Sequence, residues 1–151
     1  MPDDAVARIS QAVGDLLRLS ASERVHAARQ AATGISLTRT ELRFLGVVDE
    51  LGPKPVTEVG AVLHLSQPTA SRTLRALEDA GFVQRGVDQR DGRVARYEIT
   101  PAGRQVRRRF EAYMASQLDV ALADMPADRR EELAQLLEEL VARAYAGDRV
   151  S

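Results

Sequence analysis

A polar segment near the middle of this 151-residue chain combines short hydrogen-bonding side chains with arginines. The spacing of Ala70, Leu74 and Leu77 predicts a helix with one buried face. The opposite face carries Ser66, Gln67, Thr69, Ser71, Arg72 and Arg75. Short hydrogen-bonding side chains at the start of such a helix suit the base edges of a DNA major groove, and arginines suit guanine or phosphate. These residues are therefore candidates for DNA binding, with an ordinary polar helix face as the alternative.

The residues around this helix predict a helix-turn-helix. Residues 55–65 suit a short helix with one apolar face. A turn at His64 follows, Ser66 can cap the next helix, and Gly81 can close it in a left-handed conformation. Two helices joined by a turn of about three residues form a helix-turn-helix.

A β-hairpin is predicted directly after the second helix. Residues 82–85 and 94–99 resemble short strands, and the charged, glycine-containing residues 86–93 separate them. A hairpin in this position is a wing. Residues 66–109 contain 10 arginines and 5 acidic residues, although the whole chain has a net charge of -1. This concentration of positive charge favours a polyanionic partner, and on charge alone a solvated surface is equally consistent.

Three motifs in this region resemble the MarR family of bacterial winged helix-turn-helix transcription regulators. They are Asp88-x-Arg90-Asp91-x-Arg93 at the hairpin tip, LEDAGFV at residues 77–83 and ITPAG at residues 99–103. The motifs are specific together rather than singly. The resemblance covers almost the whole chain, and Gly60 and Ala61 depart from the family's pattern in the short helix before the turn.

The resemblance implies that Arg90 enters the minor groove of DNA while Asp88 or Asp91 orients its guanidinium. An arginine presented in this way suits the negative potential of a narrow, A·T-rich minor groove. Arg93 is a further candidate for DNA binding. The alternative for both arginines is an ion-pair cluster that closes the hairpin.

Apolar residues at helical spacing also predict helices before this lobe. The pattern that begins at Val6 predicts a long first helix that runs to about Ala32 and ends before Gly34. Thr38 and Glu41 can form a capping box, which begins a second, largely apolar and therefore buried helix.

The C-terminal part predicts two more helices. Pro101 can open the first, in which we expect the arginine run at residues 107–109 to be solvated. The last helix carries a stripe of apolar residues from Leu133 to Val141. The terminal helices have more apolar surface than one winged domain can cover, which predicts a two-fold dimer; packing within one chain is the alternative. Such a dimer would place its recognition helices about 34 Å apart and require a palindromic site.

The predicted fold class is mainly α with a small β-hairpin wing (α+β), a winged helix-turn-helix with terminal dimerisation helices. We expect a single MarR-like domain over residues 1–151, a DNA-binding lobe over 38–100, and dimerisation helices over 1–35 and 101–147.

Composition and motifs argue against catalysis, cofactors and membranes. The chain has no cysteine and two histidines, and it lacks the P-loop, dinucleotide, nucleophile-elbow and zinc-protease motifs. We therefore expect no enzymatic activity, no cofactor and no metal site. No apolar run approaches the roughly 20 residues that span a bilayer, and the N-terminus lacks a secretory signal. We expect a cytoplasmic protein that does not contact membranes.

Two classes of function follow from these features. The favoured hypothesis is a sequence-specific transcription regulator, a homodimeric repressor of a palindromic operator that a small molecule releases. The alternative is a winged-helix protein-interaction module, or a DNA-binding protein without a ligand. The resemblance suggests a small aromatic or phenolic effector between the dimerisation helices and the DNA-binding lobe. The candidate ligand residues are His26, Arg29, Arg43, Phe44, Phe110 and Tyr113, and core packing explains the aromatic ones at least as well.

Overall fold

The computed structural model describes residues 4–87 and 94–148 of the chain. Its elements are α1 (Asp4–Ser20), α2 (Glu23–Thr33), α3 (Arg39–Leu51), β1 (Lys54–Pro55), α4 (Val56–Val62), α5 (Gln67–Asp79), β2 (Val83–Val87), β3 (Ala95–Ile99), α6 (Pro101–Ala121) and α7 (Ala127–Asp148). The three strands form one antiparallel sheet in the order β1, β3, β2. The predicted fold class, mainly α with a small winged sheet, is confirmed.

The N-terminal segment forms two helices where the sequence predicted one. Helix α1 ends at Ser20, whose hydroxyl donates to a backbone carbonyl in the last turn. Ser22 caps α2, because its side chain accepts a hydrogen bond from the amide of Val25 at 3.3 Å. Serine hydroxyls that bond nearby backbone groups favour helix ends over helix interiors, which explains the break. The predicted end at Gly34 is confirmed, since its φ of 69° is left-handed and its amide donates to the carbonyl of Gln30.

Helix α3 lies at the centre of the core, as its sequence predicted. The predicted capping box is present: the Glu41 carboxylate accepts from the amide of Thr38 at 2.7 Å, and the Thr38 hydroxyl accepts from the amide of Glu41 at 3.2 Å. Phe44, Leu45 and Val48 are fully buried. The same core contains Val59, Leu74, Leu77, Val83 and Ile99. Packing against α3 therefore sets the positions of α4, α5 and the sheet together.

The sheet contains a strand that the sequence did not predict. In β1, Lys54 pairs with Tyr97 and Pro55 with Arg96. Two residues are too few to show strand periodicity, so this strand exists only through its tertiary pairing. Strands β2 and β3 form the predicted hairpin. The wing-tip residues Asp88, Arg90, Asp91 and Arg93 lie outside the described residues.

The chain divides into two compact units, Met1–Tyr113 and Met114–Ser151. The first contains the helix-turn-helix, the sheet and the beginning of α6. In the second, Arg130 donates to the carbonyls of Met125 at 2.8 Å and Ala123 at 3.1 Å, which ties α7 to the connection before it. Within the described ranges, no helix has the length and apolar character needed to cross a membrane.

Candidate nucleic-acid interface

Helices α4 and α5 form the predicted helix-turn-helix. They approach each other closely at Gly60, where an added Cβ would lie 2.9 Å from the Cβ of Ala70. Both residues are buried. A larger residue at position 60 would therefore push the two helices apart. Glycine at position 60 is thus what permits this helix contact.

The turn between α4 and α5 holds one residue in an unfavourable backbone conformation. His64 has a φ of 51°, in the left-handed region that costs a residue other than glycine roughly 1–2 kcal/mol. The amides of Leu63 and Leu65 donate to the carbonyl of Gly60 at 3.2 and 3.0 Å. These bonds close the turn tightly and fix where α5 begins.

Helix α5 has an inner and an outer face that match the sequence prediction. Ala70, Leu74 and Leu77 are fully buried in the core. Arg72 and Arg75 are exposed on the opposite face. Within the described part of the chain, neither guanidinium makes a hydrogen bond or an ion pair. Both are therefore available to an external partner.

The polar side chains at the start of α5 fall into two groups. The hydroxyls of Ser66 and Thr69 hydrogen-bond each other at 2.9 Å, and Ser66 makes no side-chain capping bond to the backbone. Gln67, which is exposed, and Ser71, which is half-buried, make no side-chain hydrogen bond with the described residues. The side chains of Gln67 and Ser71 can thus use all their donors and acceptors to bind a ligand. The hydroxyls of Ser66 and Thr69 already use part of theirs in bonding each other.

The ITPAG motif connects the region after α5 to α6. The Thr100 hydroxyl donates to the carbonyl of Gly81 at 2.7 Å and accepts from the amide of Gly103 at 3.1 Å. A Cβ at Gly103 would collide with the carbonyl oxygen of Phe82 and lie 2.8 Å from Ile99 Cγ1. The motif is therefore structural, because it joins the end of α5, strand β3 and the start of α6.

The described part of the wing contains a basic residue that the sequence analysis did not single out. Arg85 on β2 is exposed and has no hydrogen bond or ion pair with any described residue. Arg96 on β3 instead donates to the carbonyl of Pro53 at 3.0 Å. Arg85 pairs with Tyr97 of β3. Because this pairing is a tertiary contact, no local pattern in the sequence singled Arg85 out.

Arg29 contacts two of the other candidate ligand residues, His26 and Phe110. One nitrogen of its guanidinium, Nη2, contacts His26 Nδ1 at 2.6 Å and donates to the carbonyl of Leu37 at 2.7 Å. The guanidinium carbon lies 5.7 Å from the centre of the Phe110 ring. Because arginine can only donate, His26 Nδ1 must accept, which places the imidazole proton on Nε2.

The environment of Arg29 is unusual for a cation. Its side chain is only 7% exposed, and its Nε is buried without a hydrogen-bond partner. Among the described residues no carboxylate pairs with it. Burial lowers the pKa of Arg29 through desolvation, and the electrostatic interaction with Tyr113 partly opposes that effect. An arginine keeps its proton even so, which leaves a buried positive charge with no counter-ion among the described residues.

The remaining two candidate ligand residues are placed differently. Phe44 is fully buried in the core, and Arg43 is exposed on α3. Within the described ranges, neither residue has a hydrogen bond or an ion pair with Arg29, His26 or Tyr113. Those ranges also hold no cluster of histidine and acidic residues suited to a metal ion.

The arginine run at residues 107–109 corrects the expectation of a solvated face. Arg107 bonds to acceptors on α3, among them Asp49 at 2.9 Å. Arg109 donates to the carbonyl of Thr33 at the end of α2. Arg108 alone is exposed without such a bond in the described part of the chain. The sequence could not reveal this, because the acceptors lie 58 and 76 positions away.

Comparison with known proteins gives one family. A profile of the MarR family matches residues 35–94. The uncharacterized HTH-type transcriptional regulator YxaD of Bacillus subtilis (strain 168) is 29% identical over 105 residues, which cover 70% of this chain and 73% of that protein. A second regulator of the same description and organism, YpoP, is 34% identical over 74 residues, covering 49% of this chain and 52% of the relative.

Solved structures share this fold over most of the chain. Streptococcus pneumoniae FabT in complex with DNA has a TM-score of 0.74 at 16% identity, covering 93% of this chain and 98% of that one. A MarR family transcription regulator has a TM-score of 0.72 at 21% identity, with coverages of 95% and 91%. A probable transcriptional regulator from Pseudomonas aeruginosa has a TM-score of 0.60 at 29% identity, with coverages of 87% and 98%. At such identities the first two establish a common fold.

Proposed function

Because the resemblance of this chain to the MarR family of winged helix-turn-helix transcription regulators is confirmed, we propose that the protein is a homodimer that binds a palindromic DNA operator. The outer face of α5 carries the proposal, since Arg72 and Arg75 are exposed there without partners among the described residues. Such arginines can form bidentate contacts with guanine, while Gln67 suits adenine. The role requires no catalytic step and no cofactor.

The wing would complete the contact with DNA. The family resemblance assigns Arg90 to the minor groove, with Asp88 or Asp91 orienting it, and Arg93 beside it. Arg85 on the described part of β2 adds an exposed positive charge next to them in the chain. Contacts with the minor groove and phosphates contribute affinity more than sequence preference, because the minor groove offers a degenerate pattern.

Exposed apolar residues support the dimer. Helix α1 buries none of its residues, and Val6, Ile9 and Leu16 are each more than half exposed. Leu136 and Leu137 of α7 are likewise exposed. A second copy of the chain can cover such faces, and a two-fold dimer would present two copies of α5 to the same side of the duplex.

Selection from a random pool of double-stranded DNA tests this function directly. We expect an inverted repeat whose half-sites lie about one helical turn apart. The matched control is the double variant Arg72→Ala, Arg75→Ala, which should lose the motif while it keeps its fold by circular dichroism. If the wild type enriches no motif, the DNA-binding proposal fails and the protein-interaction module becomes the better hypothesis.

We further propose that the protein is a repressor and that an aromatic anion releases it by binding at Arg29. A buried guanidinium with no carboxylate partner among the described residues favours an anion, and the Phe110 ring, whose centre lies 5.7 Å from the guanidinium carbon, adds an aromatic neighbour. His26 and Tyr113 would supply hydrogen bonds at the edge of the site. The bond from Arg29 to the carbonyl of Leu37, directly before α3, gives such a ligand a route to the DNA-binding lobe.

Benzoate and its neutral analogue benzamide form a matched pair of probes for this site. Benzoate should weaken binding to the selected operator, and benzamide should not, because only the carboxylate satisfies the charge of Arg29. Arg29→Gln should abolish the response, whereas Arg24→Gln, an exposed change on the same helix, should preserve it. Equal effects of both probes, or none, would favour a DNA-binding protein without this ligand.

A further inference from the structure

Arg107 joins α6 to α3 through several acceptors at once. Its Nη1 donates to Asp49 at 2.9 Å and to the carbonyl of Gly46 at 3.3 Å, and its Nη2 donates to Glu50 at 3.2 Å. Its Nε donates to Glu111 on α6 itself at 2.8 Å. The guanidinium side chain is only 24% exposed. One planar group thus holds three acceptors of α3 and one of α6, which a point charge such as lysine could not do.

Neighbouring contacts make the beginning of α6 a fixed part of the DNA-binding lobe. Arg104, one turn earlier, also approaches Asp49, at 3.8 Å. Gly103 packs against the backbone of Phe82, directly after the recognition helix. Val106 is buried in the core. The first two turns of α6 therefore touch α3, β3 and the connection between α5 and β2, and the direction of α6 relative to these elements depends on these contacts.

We propose that Arg107 is a positioning residue that fixes the direction of α6 relative to the DNA-binding lobe and thereby sets which half-site spacing a dimer accepts. The inference rests on the proposed function. Helix α6 continues without a break from Arg107 to Ala121, and Met114 and Leu118 are exposed in this part of the helix. If the dimer forms through the terminal helices, a change in the direction of α6 displaces the two recognition helices relative to each other.

The geometry of DNA makes operator binding sensitive to small displacements of the two recognition helices. Successive base pairs lie about 3.4 Å apart along the duplex, so one inserted pair moves a half-site by that distance and rotates it around the axis. A dimer that accepts a single spacing must hold its two lobes to within a few ångströms. Several bonds to one half-buried guanidinium resist such motion better than an isolated surface ion pair does.

A panel of operators with spacers changed by one or two base pairs in either direction tests the inference. The wild type should lose at least about tenfold in affinity when the spacer changes, as expected when one half-site loses its base contacts. Arg107→Met keeps the apolar stem but removes every hydrogen bond, and it should flatten this dependence while leaving base preferences within each half-site unchanged. Arg107→Lys should give an intermediate profile. Arg108→Met is the matched control and should retain the wild-type profile.

The outcomes separate the inference from the function on which it rests. An unchanged spacer profile in a folded Arg107→Met protein would overturn the inference, and a lower melting temperature in that protein would assign Arg107 to stability alone. If Arg107→Met does not fold, the double variant Asp49→Asn, Glu50→Gln replaces it, because it removes the charged acceptors at nearly constant shape. Failure of the wild type to select any inverted repeat would overturn the proposed function and the inference together.

Discussion

At the scale of single residues, the surroundings of three arginines indicate three different roles for the same residue type. Arg72 is exposed and unpaired within the described residues, so it is available to DNA. Arg29 is buried and its Nε has no hydrogen-bond partner among the residues that the structure describes, so it suits an anion. Arg107 is bonded to several acceptors on α3 and α6, so it holds two helices together.

The first prediction concerns the two exposed arginines of the recognition helix. Replacing Arg72 or Arg75 with alanine should cost about 1–3 kcal/mol of binding free energy on the selected operator, and it should relax the preference at one position per half-site. Fluorescence anisotropy on matched and mismatched duplexes measures both effects, with Arg24→Ala as a control outside α5. An equal loss of affinity on every sequence would assign that arginine to phosphate. Unchanged binding for both variants would show that this face of α5 does not contact DNA.

The second prediction concerns the strained turn residue. His64→Gly should raise the free energy of unfolding by about 0.5–1 kcal/mol, because relief of the left-handed strain exceeds the entropy that glycine loses on folding. A urea titration followed by circular dichroism measures the change. A less stable variant would show that the contacts of the imidazole contribute more than the strain costs.

The helix-turn-helix depends, at the scale of elements, on how closely two helices can approach. Gly60 meets Ala70 with no room for a Cβ, whereas Gly46 in the middle of α3 has open space around the same position. The two glycines therefore look alike in the sequence but have opposite consequences when a methyl group is added.

The third prediction uses this contrast as its own control. Gly60→Ala should destabilise the protein by about 1–3 kcal/mol, because the helices must separate to admit the methyl group. Gly46→Ala should stabilise it by about 0.5–1 kcal/mol, because alanine loses less entropy than glycine in a helix. Both changes are measured by chemical denaturation. A Gly60→Ala variant at least as stable as the wild type would contradict the close contact between α4 and α5.

Apolar surface on the terminal helices dominates the behaviour expected of the whole molecule. Leu136 is 58% exposed and Leu140 46% exposed, and both lie on the apolar stripe of α7. In water such a stripe favours association, which would supply the second DNA-binding lobe that a palindromic site requires.

The fourth prediction follows from that stripe. The double variant Leu136→Glu, Leu140→Glu should sediment as a monomer, aggregate or unfold, because four charges per dimer cannot be buried at an apolar interface. Glu138→Lys changes the charge of the same helix on another face and should stay dimeric. A well-folded double variant that still sediments as a dimer would place the interface elsewhere.

The sequence by itself determined the local elements of this protein. The capping box at Thr38 and Glu41, the stop at Gly34, the apolar spacing of Ala70, Leu74 and Leu77, and the hairpin after Gly81 all depend on neighbours within a few positions, so periodicity and capping chemistry reveal them. The family motifs then identified the winged helix-turn-helix. The outward direction of Arg72 and Arg75 followed from helical geometry alone.

Only the tertiary structure decided features that join distant positions. Strand β1 exists through its pairing with β3, and the bonds of Arg107 to α3 span more than 50 residues. Burial of Arg29 beside Phe110 likewise depends on α2 and α6 coming together. Side-chain type and spacing carry no signal for such contacts, because they arise from the packing of whole helices against a common core rather than from local conformational preference.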